Sequence, residues 1–362
     1  MKAIAVRVGQ KGAFLAEAEE PAEPTGNQVL LRSLYTGICG TDRGIINGLL
    51  GFARPEPGKD VLILGHEGLA QVVKVGEDVK SLKPGDMVVP MVRRPGKCPE
   101  CTIGRQDNCQ DGDFVEAGIR GKDGFMRERF IDEEKYLIKV RDKNLGKLAV
   151  LTEPLKNLVK AFEVYQTVSE RHLKACPDGS YECKKVVVAG AGPIGILFTM
   201  LFSAHGFQVS LISRSDKGGV ASKISEAVGA EFVMADASKV PQEILSSDVF
   251  VDTTGLPEVA ARGIGALKHN GVGILFGTTS GGSFSVTGGF ITEAVEKNIT
   301  VIGTVDGAKQ HYIEALNYLS MWKEMYGEAL DLIITNEDTP EDSLEPLNGR
   351  GSGEIKRVIR WS

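Results

Sequence analysis

From the first residues to about position 136, short β-type runs at 3–8, 28–34, 70–75 and 87–91 are separated by Gly, Pro and Asp turns. That punctuation predicts an antiparallel, β-rich domain. Between about 145 and 170 the period changes. Leu148, Leu151, Leu155, Leu158 and Phe162 recur at spacings of three and four, which predicts a linker helix. From Lys184 onward continuous apolar strands at 185–189, 208–212, 232–234, 249–252, 272–276 and 300–303 alternate with helical segments, one of them at 220–228. Unbroken apolar strands joined through helices predict an α/β fold with a parallel, doubly wound sheet covered on both faces. A helix at 312–326 and a strand at 356–360 are left over, and the simplest place for them is back on the first domain. The expected division is 1–184 with 307–362 for the β-rich domain and 185–306 for the α/β domain.

Length and composition fit this picture. A chain of 362 residues exceeds what one core usually fills. Its apolar and charged fractions, 42% and 25%, are those of a globular protein. A net charge of -6 with interspersed signs argues against nucleic acid or an anionic membrane as the main partner, so small molecules are the expected ligands. The start of the chain lacks the apolar region of a secretory signal, and the stretch 194–202 is far too short to span a bilayer, so a cytoplasmic location is expected. Six cysteines in such a chain point to metal ligands or buried thiols. Cys176 and Cys183 flank a polar turn at 177–180, and their spacing leaves open a disulfide or two reduced thiols.

Gly190-Ala191-Gly192-Pro193-Ile194-Gly195 fits G-x-G-x-x-G, follows an apolar strand and opens an apolar helix, the context a dinucleotide pyrophosphate needs. Ser213-Arg214-Ser215 stands at the end of the next strand, where an NAD enzyme usually carries an acid for the ribose hydroxyls. Arg214 would pair with a 2′-phosphate, which favours NADP over NAD.

Two sets of residues have metal-ligand chemistry. Cys98-x-x-Cys101 and Cys109 form a compact thiolate cluster in a polar loop. A tetrahedral structural zinc needs a fourth ligand, and Asp107, Asp111, Asp113 and Glu116 are the local candidates, Asp113 being favoured. The second set is scattered: Cys39, His66 and Glu153 supply a thiolate, an imidazole and a carboxylate, the mix of a catalytic zinc with an open position.

These pieces, in this order, resemble the zinc-containing medium-chain dehydrogenases over essentially the whole chain. Gly37-Ile38-Cys39-Gly40-Thr41-Asp42-Arg43, Leu64-Gly65-His66-Glu67, Val92-Arg93-Arg94-Pro95, Gly124-Phe125-Met126-Arg127, Thr152-Glu153-Pro154-Leu155 and Gly353-Glu354-Ile355-Lys356 are similar to archaeal glucose dehydrogenases. The resemblance implies a GroES-like catalytic domain with a zinc lobe near 93–116, a Rossmann domain, two zinc ions per subunit and a cytoplasmic homotetramer. It places the catalytic zinc on Cys39, His66 and Glu153, with Glu67 ligating in some states, and a proton-relay hydroxyl on Thr41. Glu116 and Asn157, with Thr41 and Glu153, fall on sugar-contacting positions, and Thr278 and Val305 join the cofactor set. The implied reaction is oxidation of an aldose, D-glucose foremost, to its lactone with NADP or NAD as acceptor. The competing expectations are a polyol or secondary-alcohol dehydrogenase of the same fold and, more remotely, a non-catalytic crystallin-like binding protein. A quinone reductase of this superfamily would lack both metal sets.

Overall fold

The computed structural model describes residues 1–216, 219–278, 282–349 and 354–361, so Gly353 of the closing motif lies outside the described residues. The chain divides into two compact units. One comprises Met1–Lys156, Asp306–Gly327 and Ile334–Ser362, the other Asn157–Val305 and Glu328–Ile333. The first crossing therefore falls inside the Thr152–Ser169 helix rather than at 184. Packing explains the difference: Phe162 and Tyr165, on the C-terminal half of that helix, meet Phe202 and Phe207 of the α/β unit edge to face.

In the first unit the long strand Gln28–Ile38 is central. It pairs antiparallel with Glu67–Val75, Arg129–Glu133 and Lys356–Arg360, so the end of the chain closes the sheet begun near its start. Register shifts between Leu30 and Leu31 and between Ser33 and Tyr35 mark bulges that curl the strand, as at the corners of small barrels. A second sheet holds Ala13–Glu17, Lys2–Arg7 and Val61–Ile63, and a small third one holds Arg93–Arg94, Val115–Ala117 and Gly121–Lys122. The left-over helix, Lys309–Tyr326, buries Tyr312, Leu316, Leu319 and Trp322 along one face within this unit.

The second unit carries a six-stranded, all-parallel sheet. Across it run Glu231–Met234, Gln208–Ser213, Lys185–Ala189, Ser247–Asp252, Leu267–Leu275 and Thr300–Gly303, which in chain order is 3-2-1-4-5-6. This is the dinucleotide-binding order, with its switch point beside the first strand. Val186, Val187, Val188 and Ala189 of that strand are fully buried, as a strand covered on both faces must be. Cys176 and Cys183 are joined as a disulfide just before it. His269 lies inside the strand Leu267–Leu275, beside Asn270 at φ 61°.

Candidate metal and dinucleotide sites

Strand register assembles the first site. Gly37 pairs with Glu67, so Cys39 and His66, each just beyond a paired strand end, become neighbours although 27 positions separate them in sequence. A side chain at position 37 would push the Glu67 carboxylate out of place. A Cβ on Gly37 would lie 2.0 Å from Glu67 Oε2. One sulfur, one imidazole nitrogen and one carboxylate oxygen from Cys39, His66 and Glu67 all lie within 4.8 Å of one another.

The surroundings orient these groups. Cys39 precedes the short helix Gly40–Ile46, and its backbone N–H donates to Asp42 Oδ2 at 2.8 Å. The other oxygen of Asp42 is 3.4 Å from His66 Nδ1, which leaves Nε2 as the ligand nitrogen. Burial works against charge on both. The interactions with His66 and the Cys39 amide nevertheless hold Asp42 below its ordinary range. Asp42 and Cys39 in turn raise His66 well above its own. Glu67 is fully buried and is pushed up by burial, against the pull of Lys356, whose ammonium pairs with Oε2. Its Oε1 finds no hydrogen-bond donor among the described residues. A buried carboxylate with an orphaned oxygen, grouped with a thiol and an oriented imidazole, fits a zinc ion.

Thr41 Oγ1 is 3.8 Å from Cys39 Sγ and half-buried. Glu153 lies in the first turn of Thr152–Ser169 and does not join the group of mutually close ligand atoms. Its Oε1 is 3.3 Å from Lys156 Nζ. Glu116 is spoken for. Arg93 donates to Oε1 at 2.8 and 3.0 Å and Arg120 to Oε2 at 2.8 Å, so a sugar hydroxyl would have to share it with two guanidiniums. Asp42, Lys356 and Lys156 were given no role by sequence reasoning. Only Asp42 carried a signal, three residues after the cysteine, where a helix-start acid reaches back to the chain.

The lobe holds Cys98, Cys101 and Cys109 as a second close group. Cys109 Sγ is 3.8 Å from Cys98 Sγ and 3.6 Å from Asp113 Oδ1, while the other Asp113 oxygen accepts the Lys97 amide at 3.1 Å. The rival acids are otherwise placed. Asp107 is held by Arg105 through both oxygens at 3.1 Å and Glu116 by its two arginines, while Asp111 is exposed like Asp113, which is the one that reaches Cys109. The three mutually close sulfurs fit a structural zinc, and Asp113, which lies beside Cys109 but outside that close group, is the carboxylate at hand for a fourth position.

In the α/β unit the glycine fingerprint has the geometry its spacing predicts. Gly190 takes φ 104°, Gly192 caps the helix Pro193–Ala204, and a Cβ on Gly195 would sit 1.8 Å from the Gly190 carbonyl oxygen. Ile194 follows Pro193 in the first helical turn, where free N–H groups meet a pyrophosphate. Ser213 Oγ donates to the Ser215 carbonyl at 2.9 Å, tightening the turn from which Arg214 projects into solvent. Asp216 turns away from that strand end, its Oδ1 accepting the Ala221 amide at 3.0 Å. Thr278 and Val305 are exposed, and Asn157 is half-buried.

Comparison with known proteins gives one answer. Residues 146–361 match the family model "Glucose dehydrogenase C-terminus", and residues 25–142 match "Alcohol dehydrogenase GroES-like domain". The chain is 41% identical to a glucose 1-dehydrogenase of Metallosphaera sedula, covering 100% of this chain and 99% of that one. It is 41% identical to the enzyme of that name from Thermoplasma acidophilum, with 99% of each covered. A solved structure of Haloferax mediterranei glucose dehydrogenase in complex with NADP, Zn and gluconolactone superposes with a TM-score of 0.87 at 29% identity, over 100% of this chain and 99% of that one. Fold, fingerprint, metal-ligand groups and full-length likeness agree: the chain belongs to the glucose 1-dehydrogenase family of zinc-containing medium-chain dehydrogenases.

Proposed function

We propose that this chain oxidises D-glucose at the anomeric carbon to the aldonolactone, with hydride passing to NADP and, less readily, to NAD. The observation that carries the reading is the close group of Cys39, His66 and Glu67, in which the buried Glu67 carboxylate has an oxygen with no hydrogen-bond donor among the described residues. Family membership and the Haloferax complex support the substrate and acceptor.

Cys39 and His66 hold the catalytic zinc, with Glu67 and Glu153 as its carboxylates. A zinc ion bound there supplies Lewis acidity, making the anomeric hydroxyl more acidic. Asp42 keeps the His66 ring oriented and its Nδ1 occupied. Thr41, half-buried beside Cys39, carries the substrate proton outward. NADP supplies the hydride acceptor, its pyrophosphate over Gly190–Gly195 and its 2′-phosphate against Arg214, with Ser213, Ser215, Thr278 and Val305 completing the cofactor contacts. Cys98, Cys101, Cys109 and Asp113 hold a structural zinc, and Glu116 and Asn157 contact the sugar.

The described chain has no helix long and apolar enough to cross a membrane. A cytoplasmic homotetramer is the assembly we favour. A contact between copies is supported by the edge strand Thr300–Gly303 and the helix Gly288–Glu296, which leave Val301, Ile291 and Val295 exposed.

The test is the Cys39→Ser variant, assayed for turnover, zinc content and NADP binding. We expect turnover to vanish with one zinc lost per chain and NADP affinity kept, since Cys39 and the fingerprint lie in different units. Undiminished turnover without that zinc would contradict the reading. A sorbitol rate above the glucose rate in the parent enzyme would favour the polyol alternative.

A further inference from the structure

Each of the two carboxylates offered to the catalytic ion has a buried lysine of its own. Glu67, inside the close group, is paired with Lys356, and Glu153, outside it, is 3.3 Å from Lys156. Lys156 and Lys356 are both 2% exposed. Nothing in the family reading uses Lys156.

Its ammonium is a fixed cation. Lys156 Nζ is bonded to Asp306 Oδ1, and the other Asp306 oxygen is 3.0 Å from Arg93 Nε. Arg93 shares Glu116 with Arg120, and both guanidiniums stack on Phe114, at 3.7 and 3.9 Å from its ring centroid. Glu153, Asp306 and Glu116 thus alternate with Lys156, Arg93 and Arg120 in one row within the first unit, buried except at the half-buried Arg120. The stem is confined as well: a Cβ on Gly307 would come within 2.9 Å of Lys156 Cδ. A lysine so held cannot follow the carboxylate when the carboxylate moves.

A catalytic metal site needs one coordination position that empties for substrate. A carboxylate vacates it easily only if its charge is received elsewhere, because an unpaired buried anion is costly. We propose that Lys156 is a positioning residue that competes with the metal for Glu153, making this carboxylate a displaceable ligand while Cys39 and His66 hold the ion. The inference rests on the zinc reading given above. It deepens that reading by assigning Glu153 a second partner.

The sign of the effect separates this role from a structural one. If Lys156 only braced the fold, removing it would loosen the site. If it competes, removing it tightens the site. Zinc-loaded full-length enzyme and its variants are titrated with a chelator while zinc release is followed. Lys156→Met is expected to hold the catalytic-site zinc on the order of tenfold more tightly, the usual scale of outer-sphere effects. Lobe zinc should be unchanged and KM for D-glucose raised, because the sugar now faces a ligand that stays. Lys156→Arg keeps the charge and should restore zinc affinity to near the parent value. Should Lys156→Met not fold, Asp306→Asn serves: it turns the ammonium wholly toward Glu153 and should weaken catalytic-site zinc several-fold. Equal or looser zinc in Lys156→Met, or equal or tighter zinc in Asp306→Asn, overturns the proposal. Failure of the underlying reading looks different. A Cys39→Ser variant that keeps both zinc ions at parental affinity removes the site itself and the competition with it.

Discussion

On the proposed reading, Arg214 sets the choice of acceptor by electrostatics at one strand end. The strand Gln208–Ser213 ends in a serine, the guanidinium is exposed, Asp216 accepts the Ala221 amide, and Asp236, which feels the Arg214 charge, accepts from the amide and hydroxyl of Ser238. A doubly charged phosphate therefore meets a forked cation and no carboxylate at the strand's own end. Arg214→Ala should lower kcat/KM for NADP by about tenfold to a hundredfold, the equivalent of roughly 1.5–3 kcal/mol for a charge-assisted pair, and leave NAD nearly unchanged. Paired initial rates with the two acceptors check it, and equal losses would reduce Arg214 to a packing role. The residues legible in sequence were those whose type already narrows their chemistry: the glycines of the fingerprint, the spaced cysteines, Cys39 and His66. Lys156 and Lys356 were not legible, because a lysine reads as a solvated surface residue until the fold buries it against a carboxylate. Glu116 was legible only by likeness, which gave no sign of the two arginines that hold it.

The strand Lys356–Arg360 shows how an element ties the site together. Lys356 reaches Glu67 and the Ile38 carbonyl, and at its entry Glu354 accepts from Arg43 at 2.6 Å and from Arg357 at 2.9 Å. This joins the C-terminal strand to the helix that follows Cys39. Burial opposes the Glu354 charge, but Arg357 and Arg43 outweigh it and hold the carboxyl below its ordinary 4.5. A depressed carboxylate adds stability that is complete above that value and is lost as the pH falls below it. Glu354→Gln should therefore unfold at lower temperature than the parent at neutral pH, by about 2 kcal/mol of stability. The gap should narrow as the pH drops below about 4, and thermal scans across pH would show this. A gap that stays constant with pH would deny the charge any part. Elements differed in legibility for a physical reason. Strands of the parallel sheet announce themselves as continuous apolar runs, because both faces are covered. Val115–Ala117 and Gly121–Lys122 are two or three residues long, and Gly288–Glu296 buries none of its residues, so neither pattern had a period to read.

At the scale of the whole molecule, one unit collects metal-ligand chemistry from segments as distant as Cys39, His66 and Glu153, braced by Lys356, and the other carries the dinucleotide fingerprint on a six-stranded sheet. Fold class followed from pattern alone, because alternating strands and helices have few other solutions. The crossing inside Thr152–Ser169 did not, since one continuous helical period cannot show that its two halves pack in different units. The division of labour makes the central claim simple to test: the metal and the nicotinamide acceptor are both required, and each is held by its own unit. The most direct measurement is the initial rate of NADP reduction by D-glucose with enzyme as purified, stripped of its catalytic zinc, and resupplied with zinc. The rate should fall to background on stripping, while NADP still binds, and return with one zinc ion per chain; a stripped enzyme that oxidises glucose at the original rate would contradict the account.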